Sequence, residues 1–183
     1  MSSAAGMRRH DLIMSEEQAF NALEQGFSGW LATVGQDGMP YCTPMLYICM
    51  DNRVYLHSTR AKGLFRNNID NNAKVCFGVD DPDQVYAYGR FECDSALAYQ
   101  SVIMTGEIEV IEDLETKQRF CERLMAKYGK KDWDRPSGFF PRLNQIAVYA
   151  ITIQRLTGKK IELPGVSQQW PAIDRTKTPN AHS

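Results

Sequence analysis

The chain has 183 residues, 43% of them hydrophobic and 23% charged, with 21 basic side chains against 22 acidic ones. That length suits one domain, or one domain and a tail, and is enough to bury a core without disulfides or a structural metal. The near balance of charge provides no strong field for nucleic acid or anionic lipid, and no run of ~18 apolar residues is present to cross a bilayer. The polar start through Arg8, Arg9 and His10 lacks the apolar stretch of a secretory signal. The five cysteines are odd in number, scattered, and form no C-x-x-C pair. That usage fits a reducing, cytoplasmic setting, and histidines at 10, 57 and 182 are too dispersed for a zinc site.

Ser15-Glu16-Glu17-Gln18 reads as a capping box that opens a helix, with Ala19, Phe20, Leu23 and Phe27 at helical spacing and Gly26 as a stop. Trp30 to Val34 predicts a strand, Gln36-Asp37-Gly38 a turn, Tyr41 to Met50 a second strand, Asp51-Asn52 another turn, and Arg53 to Ser58 a third strand. Ala61 to Asn71 predicts a short helix with Leu64, Phe65 and Ile69 inward, and Lys74 to Val79 a strand. Residues 80–99 read as mixed, with a loop. Val102 to Ile111 is a strand with Val102, Met104, Ile108 and Val110 on one face. Asp113 opens a helix with Phe120, Cys121, Leu124, Met125 and Tyr128 inward, stopped by Gly129. Lys130 to Arg142 is a polar and aromatic loop. Gln145 to Ile153 is apolar on both faces and predicts a central strand. About six antiparallel strands and three helices make a mainly β, α+β protein, a small barrel with helices outside; the strands lie too close together for βαβ crossovers.

The segment from Val54 to Gly63 carries the strongest chemical signal. A strand ends in His57-Ser58-Thr59, and a helix follows Arg60 and Lys62. Helix starts attract phosphate through free N–H groups and the dipole; Arg60 can add two hydrogen bonds and Lys62 a point charge, with Arg66 one turn further on. A capped helix with a solvated basic face has the same pattern. Pro44 interrupts a strand, which suits an edge, a bulge, or a place where a planar ligand meets the backbone. Gln100 and Ser101 precede a long strand and either face a ligand or merely start that strand. His57 is either hydrogen-bonded structure or an acid near neutral pH.

The order of these pieces resembles the pyridoxamine 5′-phosphate oxidase-like, FMN-binding split-barrel superfamily. It is most similar to the 5-nitroimidazole-resistance (Nim) branch. The residues that carry the resemblance are Met7-Arg8-Arg9, Gly29 to Thr33, Asp37 to Tyr41, Pro44 and Tyr47, Tyr55 to Ser58 with Lys62-Gly63, and Val75 to Phe77. Tyr99 to Val102 with Gly106, and Leu156 to Lys159, complete it. The resemblance spans about residues 7–163. It implies a six-stranded, flavin-binding split barrel over residues 1–163; beyond it, residues 164–183 are dominated by Pro, Gln, Ser and Lys and read as a C-terminal tail, disordered or docked on a partner subunit. It further implies bound FMN and a homodimer with flavin sites at the subunit interface. Thr43, Pro44, Met45 and Leu46 would run along the flavin ring. His57, Ser58, Arg60 and Lys62 would surround ribityl and phosphate, and Gln100 and Ser101 would approach from an adjacent strand. The basic and aromatic pattern that vitamin B6 oxidases carry near their C-terminus has no match here beyond Arg155 and Trp170.

The expected function is therefore an oxidoreductase in which reduced flavin passes electrons to a small electron-poor acceptor, with His57 as candidate proton donor. The alternatives are a flavin carrier or sensor without turnover, or a split barrel that holds haem or a deazaflavin, with His57 as a haem ligand. Neither nucleic acid nor a membrane is expected as a partner.

Overall fold

The computed structural model describes residues 8–134, 136 and 138–171. In chain order the elements are α1 (Glu16–Gln25), β1 (Gly29–Val34), β2 (Pro40–Met45), β3 (Tyr47–Met50), β4 (Arg53–Thr59), α2 (Leu64–Asn71), β5 (Lys74–Ala87), β6 (Ser95–Ile111), α3 (Leu114–Tyr128) and β7 (Ile146–Ile161). Among these residues no helix is long and apolar enough to cross a membrane.

The local signals form the predicted caps and turns. Ser15 Oγ accepts from the Gln18 N–H at 3.1 Å and Gln18 Oε1 accepts from the Ser15 N–H at 2.9 Å, so α1 opens on a reciprocal box. Asp113 accepts from the Thr116 N–H at the start of α3. Gly38 sits at φ +79° in the β1–β2 turn, and Asp51 and Asn52 sit at φ 53° and 57° in the β3–β4 turn. Positive φ at both central residues twists a hairpin with its strands, and Asp and Asn tolerate it.

The seven strands form one antiparallel sheet in the order β2-β1-β5-β6-β7-β4-β3. Its two end strands are neighbours in the chain, separated only by Leu46. The chain itself thus closes the sheet into a barrel and splits it at the same point: β2 pairs with β1, then β3 pairs with β4. The expected single strand from Tyr41 to Met50 is therefore two, and the barrel counts seven strands instead of six. The physical reason sits on α3. The Tyr128 hydroxyl accepts from the Tyr47 N–H at 3.3 Å and lies 2.8 Å from the Tyr47 carbonyl and 2.7 Å from that of Phe27. It takes the place of a strand partner where the ladder changes sides.

Three other boundaries move. The second helix begins at Leu64, after a Gly63 N-cap, and not at Ala61. β5 continues to Ala87 and β6 begins at Ser95, so most of 80–99 is a long hairpin with a bulge between Pro82 and Val85, not a mixed region. β7 runs on to Ile161. At Gly106 a Cβ would come within 2.1 Å of the Thr152 carbonyl oxygen, so glycine is required where β6 bulges against β7.

Two apolar clusters result. Leu31, Tyr47, Leu56, Phe77, Met104 and Tyr149 fill the barrel together with Leu23 of α1. Ile48, Tyr55, Val148 and Ala150 point outward and pack beneath Phe120 and Leu124 of α3. β7 therefore lies between β6 and β4 with both faces buried, as its two-faced apolar pattern predicts. Phe27 departs from expectation: it is 75% exposed, with its ring edge-on to Tyr128 at 5.6 Å.

Candidate functional site

Alternation along β4 decides which candidate residues share a space. Val54 and Leu56 point into the barrel and Tyr55 points out under α3. His57 follows Tyr55: its ring lies 5.6 Å from that of Phe120 on α3. Ser58 follows Leu56 inward, with Oγ 3.0 Å from the hydroxyl of the buried Tyr149. Adjacent in sequence, the two side chains face opposite sides of the sheet. Burial holds the His57 pKa below its usual value, and Nδ1 is buried with no hydrogen-bond partner. The ring is neutral at neutral pH, so one of its two nitrogens carries a proton. That makes His57 a single N–H donor and a poor source of an imidazolium proton.

The basic residues gather at the start of α2. Gly63 offers no side-chain cap, and a Cβ built there would meet nothing within 4 Å, so the helix opens into free space. Lys62 Nζ reaches Asp70 at 2.8 Å and Arg66 Nε reaches the other oxygen of the same carboxylate at 2.7 Å. The Arg66 guanidinium lies over the Tyr149 ring, 5.9 Å from its centroid, and Phe65 meets that ring edge-on at 5.1 Å. Hydrogen bonds from Lys62 and Arg66 hold the Asp70 carboxyl below its usual pKa. Arg60 donates to the Asn144 carbonyl at 2.7 Å. With three cations and one carboxylate, the corner keeps a net positive charge. An ammonium has three N–H donors and a guanidinium five, so Lys62 and Arg60 each retain capacity for a further acceptor.

Thr43, Pro44 and Met45 lie on β2, which pairs with β1 on one side and, among the described residues, with no strand on the other. Pro44 thus occupies an edge strand, where a missing N–H is tolerated. Met45 packs into the barrel core. Leu46 instead shares a cleft with His57. That cleft, of about 690 Å³, lies between the barrel, α3 and the segment before β7. Phe120, Leu124 and Met125 form its helical wall; Trp133, Phe139 and Phe140 form the opposite one. Sequence reading missed it. The inward residues of α3 were legible as a stripe, but not that part of the stripe stops short of the barrel and leaves space.

Gln100 and Ser101 are not brought to either place. They lie on β6, with Ser101 opposite Asp80 and Gln100 opposite Asp81, in a separate cleft of about 240 Å³ that Phe27 and Ser28 also line. Three strand steps separate Ser101 from Leu46 round the sheet, roughly 14 Å of arc at ~4.8 Å per strand. The tail from residue 164 begins beside the β5–β6 hairpin, where the Trp170 N–H donates to the Ala87 carbonyl at 2.8 Å; residues 172–183 lie outside the described residues. Among the described residues no group of three or more His, Cys, Asp or Glu side chains could hold a metal ion.

Comparison with solved structures finds the same fold repeatedly. A candidate 5-nitroimidazole antibiotic resistance protein from Bacteroides thetaiotaomicron VPI-5482 matches with a TM-score of 0.67 and 23% identity, covering 81% of this chain and 86% of that one. The flavocytochrome Anf3 from Azotobacter vinelandii matches with a TM-score of 0.76 and 20% identity, over 90% of this chain and 76% of that one. A FAD and haem binding protein from Mycobacterium smegmatis matches with a TM-score of 0.67 and 17% identity, over 84% and 76%. At such identities the likeness is one of fold. Comparison with curated proteins finds no match. The sequence profile described as pyridoxamine 5′-phosphate oxidase matches residues 15–160, most of the barrel from the α1 cap almost to the end of β7. The chain therefore belongs to the pyridoxamine 5′-phosphate oxidase family.

Proposed function

We propose that this chain is an FMN-binding oxidoreductase that passes electrons from reduced flavin to a small, planar, electron-poor acceptor. The observation that carries the reading is the uncapped start of α2 at Gly63, open to space and flanked by Ser58, Arg60 and Lys62. First-turn N–H groups and two cations suit a phosphate there. Thr43, Pro44 and Met45, on a strand with one unpaired edge, and Leu46 just beyond its end would lie along the ring. The residues fit the cofactor, which would supply the electron transfer itself. The chain's part is to fix the phosphate, offer backbone groups to the ring, and exclude water with the apolar flank at Leu46.

Family membership and the fold shared with FAD-binding, haem-binding and flavocytochrome proteins support a redox cofactor. Arg60 and Lys62 form one phosphate corner, which is what FMN requires; the open space beyond Gly63 would also admit a larger nucleotide, and the cofactor released on denaturation distinguishes the two. Gln100 and Ser101, in a separate cleft of their own chain, would reach the flavin of a second copy, so the working unit is a homodimer.

The absorption spectrum of the purified protein tests the cofactor. Flavin bands, with FMN and not FAD released on denaturation, are expected. A Soret band or a deazaflavin spectrum would replace the reading. Turnover is tested by mixing the reduced protein with nitroimidazoles. Reoxidation faster than that of free FMN is expected, and a rate equal to it would leave a flavin carrier instead.

A further inference from the structure

The 690 Å³ cleft under α3 is much larger than a one-ring acceptor requires; it has the volume of a site for a drug-sized molecule, ~300–1,000 Å³. We infer that it is a binding site for a neutral, planar, fused-ring aromatic ligand with a carbonyl edge, the quinone class. This deepens the flavin reading by naming the second ligand, yet binding itself needs no flavin.

Three features of the cleft select that class. Its walls are aromatic and aliphatic, with Phe120, Trp133, Phe139 and Phe140 facing a wide slot, which suits a flat apolar body. Its formal charges cancel: among the described lining residues Arg142 and Asp134 are the only charged pair, so neither a dianionic porphyrin nor a cation is favoured. Among the described lining residues the polar rings are His57, Tyr128 and Trp133; of these His57 is a neutral imidazole with a buried Nδ1 that has no hydrogen-bond partner, so the ring offers one N–H donor. A carbonyl oxygen is the acceptor such a donor takes. Leu46 and His57 also adjoin the strand edge proposed for the flavin ring, so a ligand here would lie next to it.

The test uses the full chain freed of flavin and carrying Trp30→Phe and Trp170→Phe, so that Trp133 in the cleft wall is the reporter. Titration with menadione should quench its fluorescence saturably. Dimetridazole, a single-ring nitroimidazole, should bind about tenfold or more weakly, because it forfeits the contacts of a second ring. Cys121→Phe, which narrows the cleft from α3, should weaken menadione by a similar factor. His57→Phe should weaken it about five-fold through loss of one hydrogen bond. Circular dichroism checks that each variant folds, and Lys74→Ala, exposed at the start of β5 and outside the cleft, should leave menadione unaffected. The inference is overturned by an absence of saturable quenching, by unchanged affinity in Cys121→Phe, or by tighter binding of haemin or of naphthoquinone sulfonate. If FMN is never found in the protein but menadione titrates as described, the flavin reading fails and this one stands.

Discussion

His57 illustrates how one side chain responds to the face of the strand it occupies. Its pKa is depressed by burial, so it is neutral in the native state and near 6.5 when unfolded. Below pH 6.5 the unfolded chain takes up a proton that the native ring refuses, so this residue makes the protein less stable as pH falls from 6.5 toward the lowered native pKa. Urea midpoints at pH 7.5 and 5.5 should therefore differ by less in His57→Gln than in the parent; an equal or larger difference would contradict a buried neutral ring. Tyr128 shows the complementary case of a hydroxyl bound to backbone. Tyr128→Phe keeps the ring but strips the groups at Phe27 and Tyr47 of their partner. Such a loss in a half-buried place is expected to remove about 1–2 kcal/mol of stability, read from denaturant unfolding. A change below a few tenths would mean that water replaces the hydroxyl.

Among the elements, α2 brings the site its charge and also restrains it. Asp70, on its last turn, draws Lys62 and Arg66 to itself, and Lys62 remains 66% exposed while doing so. A phosphate arriving at Gly63 must compete with that carboxylate. Asp70→Asn is thus expected to tighten FMN by a few-fold at low salt. Lys62→Ala is expected to weaken it by about 1 kcal/mol, at the low end for a charged hydrogen bond because solvent screens an exposed ammonium. Fluorescence titration of the flavin-free protein checks both, and added salt should shrink both effects. If Asp70→Asn weakens FMN instead, Asp70 aligns the cations more than it competes for them. The α3 helix works differently: it covers the outer face of β3, β4 and β7 through Phe120 and Leu124, while its far edge bounds the cleft. Lys127 joins it to the end of α1 by donating to the Glu24 carbonyl at 3.0 Å, with Nζ 4.0 Å from the centre of the Tyr47 ring. Nearby, burial raises the Cys49 thiol to about 12, so this cysteine packs as a thiol and does not act as a nucleophile.

For the whole molecule, the barrel has one covered flank and one bare one. α3 shields β3, β4 and the first half of β7. On β1 and β6, Trp30 and Ile103 stand outward in line through the pairs Trp30–Gly78 and Gly78–Ile103, and they are 51% and 46% exposed. Pro44 extends the same row on β2. A sheet face of this kind suits a two-fold contact with a second copy, which would also carry Gln100 and Ser101 toward the proposed flavin site. Sedimentation is expected to give about twice the 20.8 kDa of one chain, and Trp30→Glu with Ile103→Glu should halve that mass while circular dichroism stays unchanged. A parent protein that sediments as a single chain with flavin bound would remove the dimer.

Much of this architecture was legible because its causes are local. The Ser15 box, the Asp113 cap, the Asp51-Asn52 turn and the two-faced apolar run of β7 are each specified within a few residues, so caps, turns and periodicity identify them. Strand alternation even contained the separation of His57 from Ser58. Other features depend on partners far along the chain. The break at Leu46 needs Tyr128, 81 residues beyond Tyr47; the fate of Arg60 needs the carbonyl of Asn144, 84 residues on. The long β5–β6 hairpin hides its ladder behind Asp, Pro and Gly residues that favour turns locally, and only pairing across the sheet overrides them. The cleft is the extreme case. Its walls come from β4, α3 and the residues before β7, and a stripe of apolar side chains reads the same whether it closes on a core or stops short of one. The sequence determined the elements and their buried faces, because those follow from short-range sterics and periodicity. Only the tertiary structure decided where the faces fail to meet, because empty space belongs to no residue.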